Sequence, residues 1–110
     1  MRMWMIDPRI LCRKHLLGEH VETHMFAGTL NAGKDMSGYV RNNLLEVLSL
    51  RERHDALAAE MTRRGMKHKS PLRPYTCRQM TPKQRAYKVD QHASLEDLLG
   101  RCPQCRKRAE

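Results

Sequence analysis

Aromatic side chains are scarce in this chain, with one Trp, one Phe and three Tyr among 110 residues. A core built on stacked rings is thereby excluded, and Leu together with eight Met must fill the interior, which favours adaptable packing. Long apolar runs are missing too. No stretch approaches the roughly 18 residues of a membrane span, and the first residues lack the apolar centre of a signal peptide. The expected setting is the cytoplasm, or the host cytoplasm for a phage-encoded chain, with no membrane partner. There the four cysteines are expected as reduced thiols or metal ligands rather than disulfides. No internal repeat is present.

Acidic side chains are also few, 12 against 21 Lys and Arg, for a formal net charge of +9. The shortage is local. Residues 66–110 hold eleven basic and four acidic side chains, whereas residues 1–65 are nearly balanced. A basic arm on a near-neutral body favours a polyanion, most simply nucleic acid, through counterion release from its phosphates. With 110 residues there is room for one modest core.

Asp7-Pro8 joins an N-cap acceptor to proline at the first helical position, and predicts a helix running to about Thr29. At about 100° per residue, Ile10, Leu17, Val21 and Met25 share a sector expected to face the core, with Gly18 permitting another backbone to approach. His15, Glu19 and Glu22 form a second stripe, closed by Phe26, which reads either as a solvated acidic face or as a working one. His20 and His24 make an i, i+4 pair. The text HVETH superficially matches a zinc-protease helix, but Glu22 stands two residues after His20, about 200° round the helix, where that motif does not place its Glu.

Residues 31–38 read as a loop, and Tyr39 to Val47 as a short helix giving Leu44, Leu45 and Leu48 to the core. Ser49-Leu50-Arg51-Glu52 has the form of a capping box, opening a second long helix that Gly65 stops, with Leu50, Leu57, Ala58 and Met61 on its apolar face. Beyond it, Lys67, His68, Lys69, Pro71, Arg73 and Pro74 mark an extended basic strap. Thr81-Pro82 starts a short helix, and Ser94 to Asp97 caps another that ends at Gly100. The fold class is all-α: a helical domain over residues 1–72, with a basic extension over 73–110.

Cys102-Pro103-Gln104-Cys105 has the spacing of half a zinc site. Cys77 and either His92 or Cys12 would complete it, making Cys77, Cys102 and Cys105 the candidate ligands of a structural zinc; unliganded thiols are the alternative.

The terminal amine is the most reactive nitrogen that the sequence offers. An α-amine has a reference pKa of about 7.7–8.0 against about 10.4 for Lys, so a useful fraction is neutral and nucleophilic at pH 7. Arg2 is too large for routine removal of the initiator residue, so Met1 is expected to be retained.

The opening Met1-Arg2-Met3-Trp4 with Asp7-Pro8, the helix KHLLGEHVETHMFAG and the later LRERHDALAAEMTRRGMKHKSPL together resemble the pyrimidine-dimer DNA glycosylases of the endonuclease V type, over about residues 1–72. The resemblance implies a compact helical fold and an activity without a catalytic cofactor. It implies attack by the N-terminal amine, here of Met1, on the sugar carbon bearing the damaged base, then an imine and strand cleavage by β-elimination. Glu22 matches the glutamate that supports the proton transfers. Double-stranded DNA containing a lesion is the implied partner, met by a monomer. Arg2 is expected at a phosphate beside the lesion, and His15 against the DNA backbone. The phage enzymes carry Arg where this chain has Val21 and Met25, and Arg9, Arg13, Arg41, Lys67 and Lys69 are the candidates to replace those contacts. The alternative from another class is a non-catalytic nucleic-acid-binding module acting through the basic tail.

Overall fold

A computed structural model describes residues 1–68 and 70–110. The organising element is not a helix. Residues 1–6 form a segment without regular structure, turned at Met5 (φ +56°), with Met3, Trp4 and Ile6 buried. Its backbone is held by neighbours distant in sequence: Met3 N–H donates to the Leu44 carbonyl (2.8 Å), the Ser94 hydroxyl to the Trp4 carbonyl (2.6 Å), and Arg53 Nη1 to the Ile6 carbonyl (2.6 Å).

Asp7 caps as expected, accepting from Arg9 N–H at 3.0 Å, but Pro8–Ile10 forms only a 3-10 turn. The chain extends again at Leu11 and Cys12, and helix α1 spans Arg13–Asn31. A short α2 follows at Ser37–Arg41, then a 3-10 turn at Val47–Ser49 and α3 at Leu50–Arg63. Gly65, with φ of +82°, ends it as anticipated. Residues 66–68 and 70–76 lack regular structure, in keeping with the expected strap. The extension folds as α4 (Pro82–Ala86), α5 (Gln91–Arg101) and α6 (Pro103–Ala109). No strand is found among the described residues, so the fold is all-α, and none of its helices is long and apolar enough to cross a membrane.

Helices α1 and α3 pack against each other, and α6 packs on the Pro8–Ile10 turn. Two apolar clusters result. One gathers Met3, Phe26, Leu30, Leu45, Leu50 and Leu72; the other gathers Trp4, Leu11, Leu16, Leu57, Leu98 and Cys105. Rings are few in both, as the composition required.

Several expectations from helical phase are corrected. Val21 and Met25 are 54% and 48% exposed, and α1 buries Leu16, Glu19, His20, Thr23, Phe26, Ala27 and Leu30 instead. The apolar sector misled because three polar residues on the true core face have partners. Glu19 is clasped by Arg53 through two hydrogen bonds of 2.6 and 2.8 Å, Thr23 bonds back to the His20 carbonyl at 2.6 Å, and His20 meets His68 at 2.8 Å. Gly18 has nothing within 4 Å of the position a Cβ would take, so no backbone approaches there. Leu48 is exposed. The expected 39–47 helix stops at Arg41 because Asn43 turns left-handed, at φ +63°, to accept from Asp90 N–H and the Tyr87 hydroxyl at 2.7 and 2.5 Å. Ser49 hydrogen-bonds Glu46 rather than capping α3. Asp90, not Ser94, caps α5; Ser94 lies inside that helix, pinned to Trp4.

Candidate functional site

The α-amino nitrogen of Met1 emerges from the buried segment 3.6 Å from Glu22 Oε1, with side-chain exposures of 12% and 27%. Met1, Glu22, Arg2, Trp4, His15 and Arg101 line one cleft. Burial raises the Glu22 carboxyl above the usual carboxylate range, while the facing amine pulls it part of the way back. A raised carboxyl beside a primary amine is an arrangement suited to proton exchange.

Arg2 is turned inward. Its guanidinium donates to Asp97 at 2.7 Å and stacks 3.6 Å from the Trp4 ring centroid. Asp97, held below its ordinary value by hydrogen bonds from Arg101 and then Arg2, joins the terminal segment to α5. The remaining cationic candidates are dispersed. Arg9 is exposed and paired with Asp7 at 2.8 Å; Arg13, Arg41 and Lys67 are exposed. Lys69 lies outside the described residues.

His15 has a different neighbourhood from the one expected. Its Nδ1 is 3.2 Å from Cys12 Sγ and 3.6 Å from Cys105 Sγ, and Cys12 Sγ is 3.8 Å from Cys102 Sγ. These four residues form a group that could hold a metal ion. A tetrahedral zinc with bonds of about 2.3 Å to sulfur and about 2.0 Å to nitrogen has S···S and S···N edges of about 3.8 and 3.5 Å, close to the separations found. Burial pushes the Cys105 thiol up to about 12, whereas at Cys102 burial is outweighed by hydrogen bonds from Cys105 and Cys12, which lower it. The expected ligand Cys77 is corrected: it packs against the other apolar cluster, beside Met3 and Phe26. His92 is exposed and pairs with Glu96 at 2.9 Å. The CxxC was legible as half a site. Cys12 was one of the two residues offered to complete it and does join it; His15, which makes a CxxH with Cys12 at the start of α1, was there to be read once a helix start was placed at Arg13 rather than Asp7.

Sequence reasoning also missed a second group. His20 and His24 of α1, His54 of α3 and His68 of the strap converge, each offering a ring nitrogen within 4.8 Å of the others. Burial lowers His20 to about 4 and also lowers His24, with the neighbouring imidazoles acting in the same direction. The i, i+4 spacing signalled two members; the other two come from segments far along the chain.

A family model described as pyrimidine dimer DNA glycosylase matches residues 1–74, a stretch that carries Met1, Glu22 and all four clustered histidines. No match was found among curated proteins or among solved structures. With about two thirds of its length matched, the chain belongs to the pyrimidine dimer DNA glycosylase family.

Proposed function

We propose that the protein excises damaged bases, pyrimidine dimers foremost, and cleaves the strand through its own terminal amine. The neutral Met1 nitrogen donates its lone pair to the sugar carbon C1′ as the glycosidic bond breaks and the base departs with the bonding electrons. Loss of a nitrogen proton and opening of the sugar ring, with a proton delivered to the ring oxygen, give the imine. Removal of a C2′ proton then expels the 3′ phosphate by β-elimination. Glu22 exchanges these protons, a role for which a carboxyl of raised pKa is suited. The observation that carries the reading is the 3.6 Å approach of the Met1 amine to Glu22 inside a cleft of a family member.

The geometry favours a positioning role for Arg2, whose bonds to Asp97 and Trp4 fix the second residue of the chain. Arg9, Arg13, Arg41 and Lys67 remain available for phosphates. Val21 and Met25 offer exposed apolar surface within about 100° of Glu22 on α1, suited to wedging apart the stack around an extruded base. We assign Cys12, His15, Cys102 and Cys105 to a structural zinc that ties α6 to the start of α1. A Cys102→Ser variant then loses the ion held by this group, read as loss of the thiolate-to-metal band with cobalt(II), while Cys77→Ser retains it.

Borohydride trapping tests the reaction class directly. An adduct with DNA containing an abasic site or a dimer, lost on blocking the amine, is expected. Salt-sensitive DNA binding with no adduct on either substrate would instead support the non-catalytic binding module.

A further inference from the structure

The cluster of His20, His24, His54 and His68 has no part in that reaction. It lies on the flank of α1 about 200° round from Glu22, in the seam between α1 and α3. Ring centroids of neighbouring members are 4.6 to 5.1 Å apart. Such a group has to be explained by its hydrogen bonds, and these are deficient. His24 Nε2 is buried with no hydrogen-bond partner among the described residues, which is costly for a polar nitrogen. His20 Nε2 and His68 Nε2 face each other at 2.8 Å, so at most one of them carries the proton in the neutral pair.

His54 shows the same deficit in another form. Its Nδ1 is 2.8 Å from Asp55 Oδ1 and its Nε2 is 3.1 Å from the Ser70 carbonyl oxygen. Both neighbours only accept, and a neutral imidazole has a single N–H. If Nδ1–H goes to the carboxylate, a lone pair is left pointing at a carbonyl. Protonating the ring would satisfy both at the cost of a cation among three more imidazoles. An ion that takes one lone pair from each ring gives the idle His24 nitrogen a partner, uses the spare lone pair of His54 and leaves its Nδ1–H for Asp55.

We propose that His20, His24, His54 and His68 are the ligands of a divalent first-row transition metal, with zinc the expected ion. Four neutral nitrogens of borderline softness suit such an ion and do not suit calcium or magnesium, which take oxygen ligands. The Asp55 carboxylate on the far nitrogen of His54 is the outer partner that orients metal-bound histidines and sharpens their basicity. An open cleft lined by His54, His68, Asp55, Thr62 and Pro71 gives the ion a way in. Four protein ligands leave no open position, so the ion is structural. It staples the strap to α1 and α3, and the site stands whether or not Met1 is the nucleophile.

The test uses metal-free full-length protein carrying Cys102→Ser and Cys105→Ser, titrated with zinc and with cobalt(II). One equivalent is expected to bind, with cobalt d–d absorption but no thiolate-to-cobalt band. Adding His68→Gln is expected to abolish that equivalent, and Asp55→Asn to weaken it about 10- to 100-fold. The proposal is overturned if the helical cysteine variant binds less than about a tenth of an equivalent, the level of a stray ion. Should that variant not fold, His68→Gln alone in the parent chain decides: loss of one equivalent with the thiolate band intact supports the site, and unchanged stoichiometry defeats it.

Discussion

The Met1 amine and the Glu22 carboxylate face each other at 3.6 Å although 21 positions separate them, because the buried 1–6 segment and α1 are both anchored independently of that contact. Met3 is held by Leu44, and Trp4 by Ser94. The pair is therefore expected to persist in outline when either partner is altered, which makes its chemistry separable from its architecture.

Glu22→Gln removes the carboxylate at little steric cost. Turnover on lesion DNA is expected to fall about 10²- to 10⁴-fold, the usual contribution of a positioned acid–base group, with DNA affinity and melting temperature nearly unchanged. Single-turnover cleavage assays and thermal melts measure the two sides; wild-type turnover in the variant removes Glu22 from the mechanism.

Arg53 binds Glu19 through two hydrogen bonds and Ile6 through a third, and both charged groups are almost wholly buried. Arg53→Met strands the Glu19 carboxylate and frees the carbonyl that holds the terminal segment. A loss of about 3–5 kcal/mol is expected in urea unfolding. The double change Glu19→Leu with Arg53→Met should recover much of it, because no orphan charge is left. A double variant no better than the single one would show that the pair does more than cancel its own desolvation.

Acid sensitivity should be traceable to Glu60. Hydrogen bonds from Arg63 and Arg64 outweigh its burial and hold its carboxyl at about 2, against an ordinary 4.5. The folded value lies below the unfolded one, so the stabilisation is complete above pH 4.5 and is lost as pH falls through about 2. Arg63 is 59% exposed, and with that screening the contribution is about 1–2 kcal/mol. Wild type and Glu60→Gln compared by urea unfolding should differ most near neutral pH and converge on acidification. A gap independent of pH contradicts the assignment.

Gly18 sits inside α1 with open space around it. Gly18→Ala is expected to stabilise the protein by about 0.5–1 kcal/mol, since nothing offsets the entropy that glycine loses in a helix. If the melting temperature rises while affinity for lesion DNA drops, the DNA backbone passes close to this face, beside Glu22. Unchanged affinity would place the DNA elsewhere on the cleft rim.

Punctuation was the most legible part of the sequence. Gly65, Thr81-Pro82 and Asp7-Pro8 each mark an observed boundary, because caps and stops depend on a few adjacent atoms. The buried face of α1 was not legible, since Glu19, His20 and Thr23 look like surface until Arg53 and His68 are brought against them. Both metal-ligand groups were half visible for the same reason. Cys102 and Cys105, or His20 and His24, are neighbours along the chain, but their complements arrive through tertiary packing. The proximity of Met1 to Glu22 was anticipated from resemblance alone; nothing in the local pattern brings residues 1–6 through the core.

That threaded segment imposes an order in time. The anchors of the terminal residues lie at sequence separations of 43 for Met3 on Glu46, 90 for Trp4 on Ser94 and 95 for Arg2 on Asp97. Arg2 and Trp4 cannot reach these seats until the α5 residues that hold them are in place, and closing such long loops is slow in any folding chain. The Met1 amine thus acquires its carboxylate-facing position only once Ser94 and Asp97 have come against the segment that carries it.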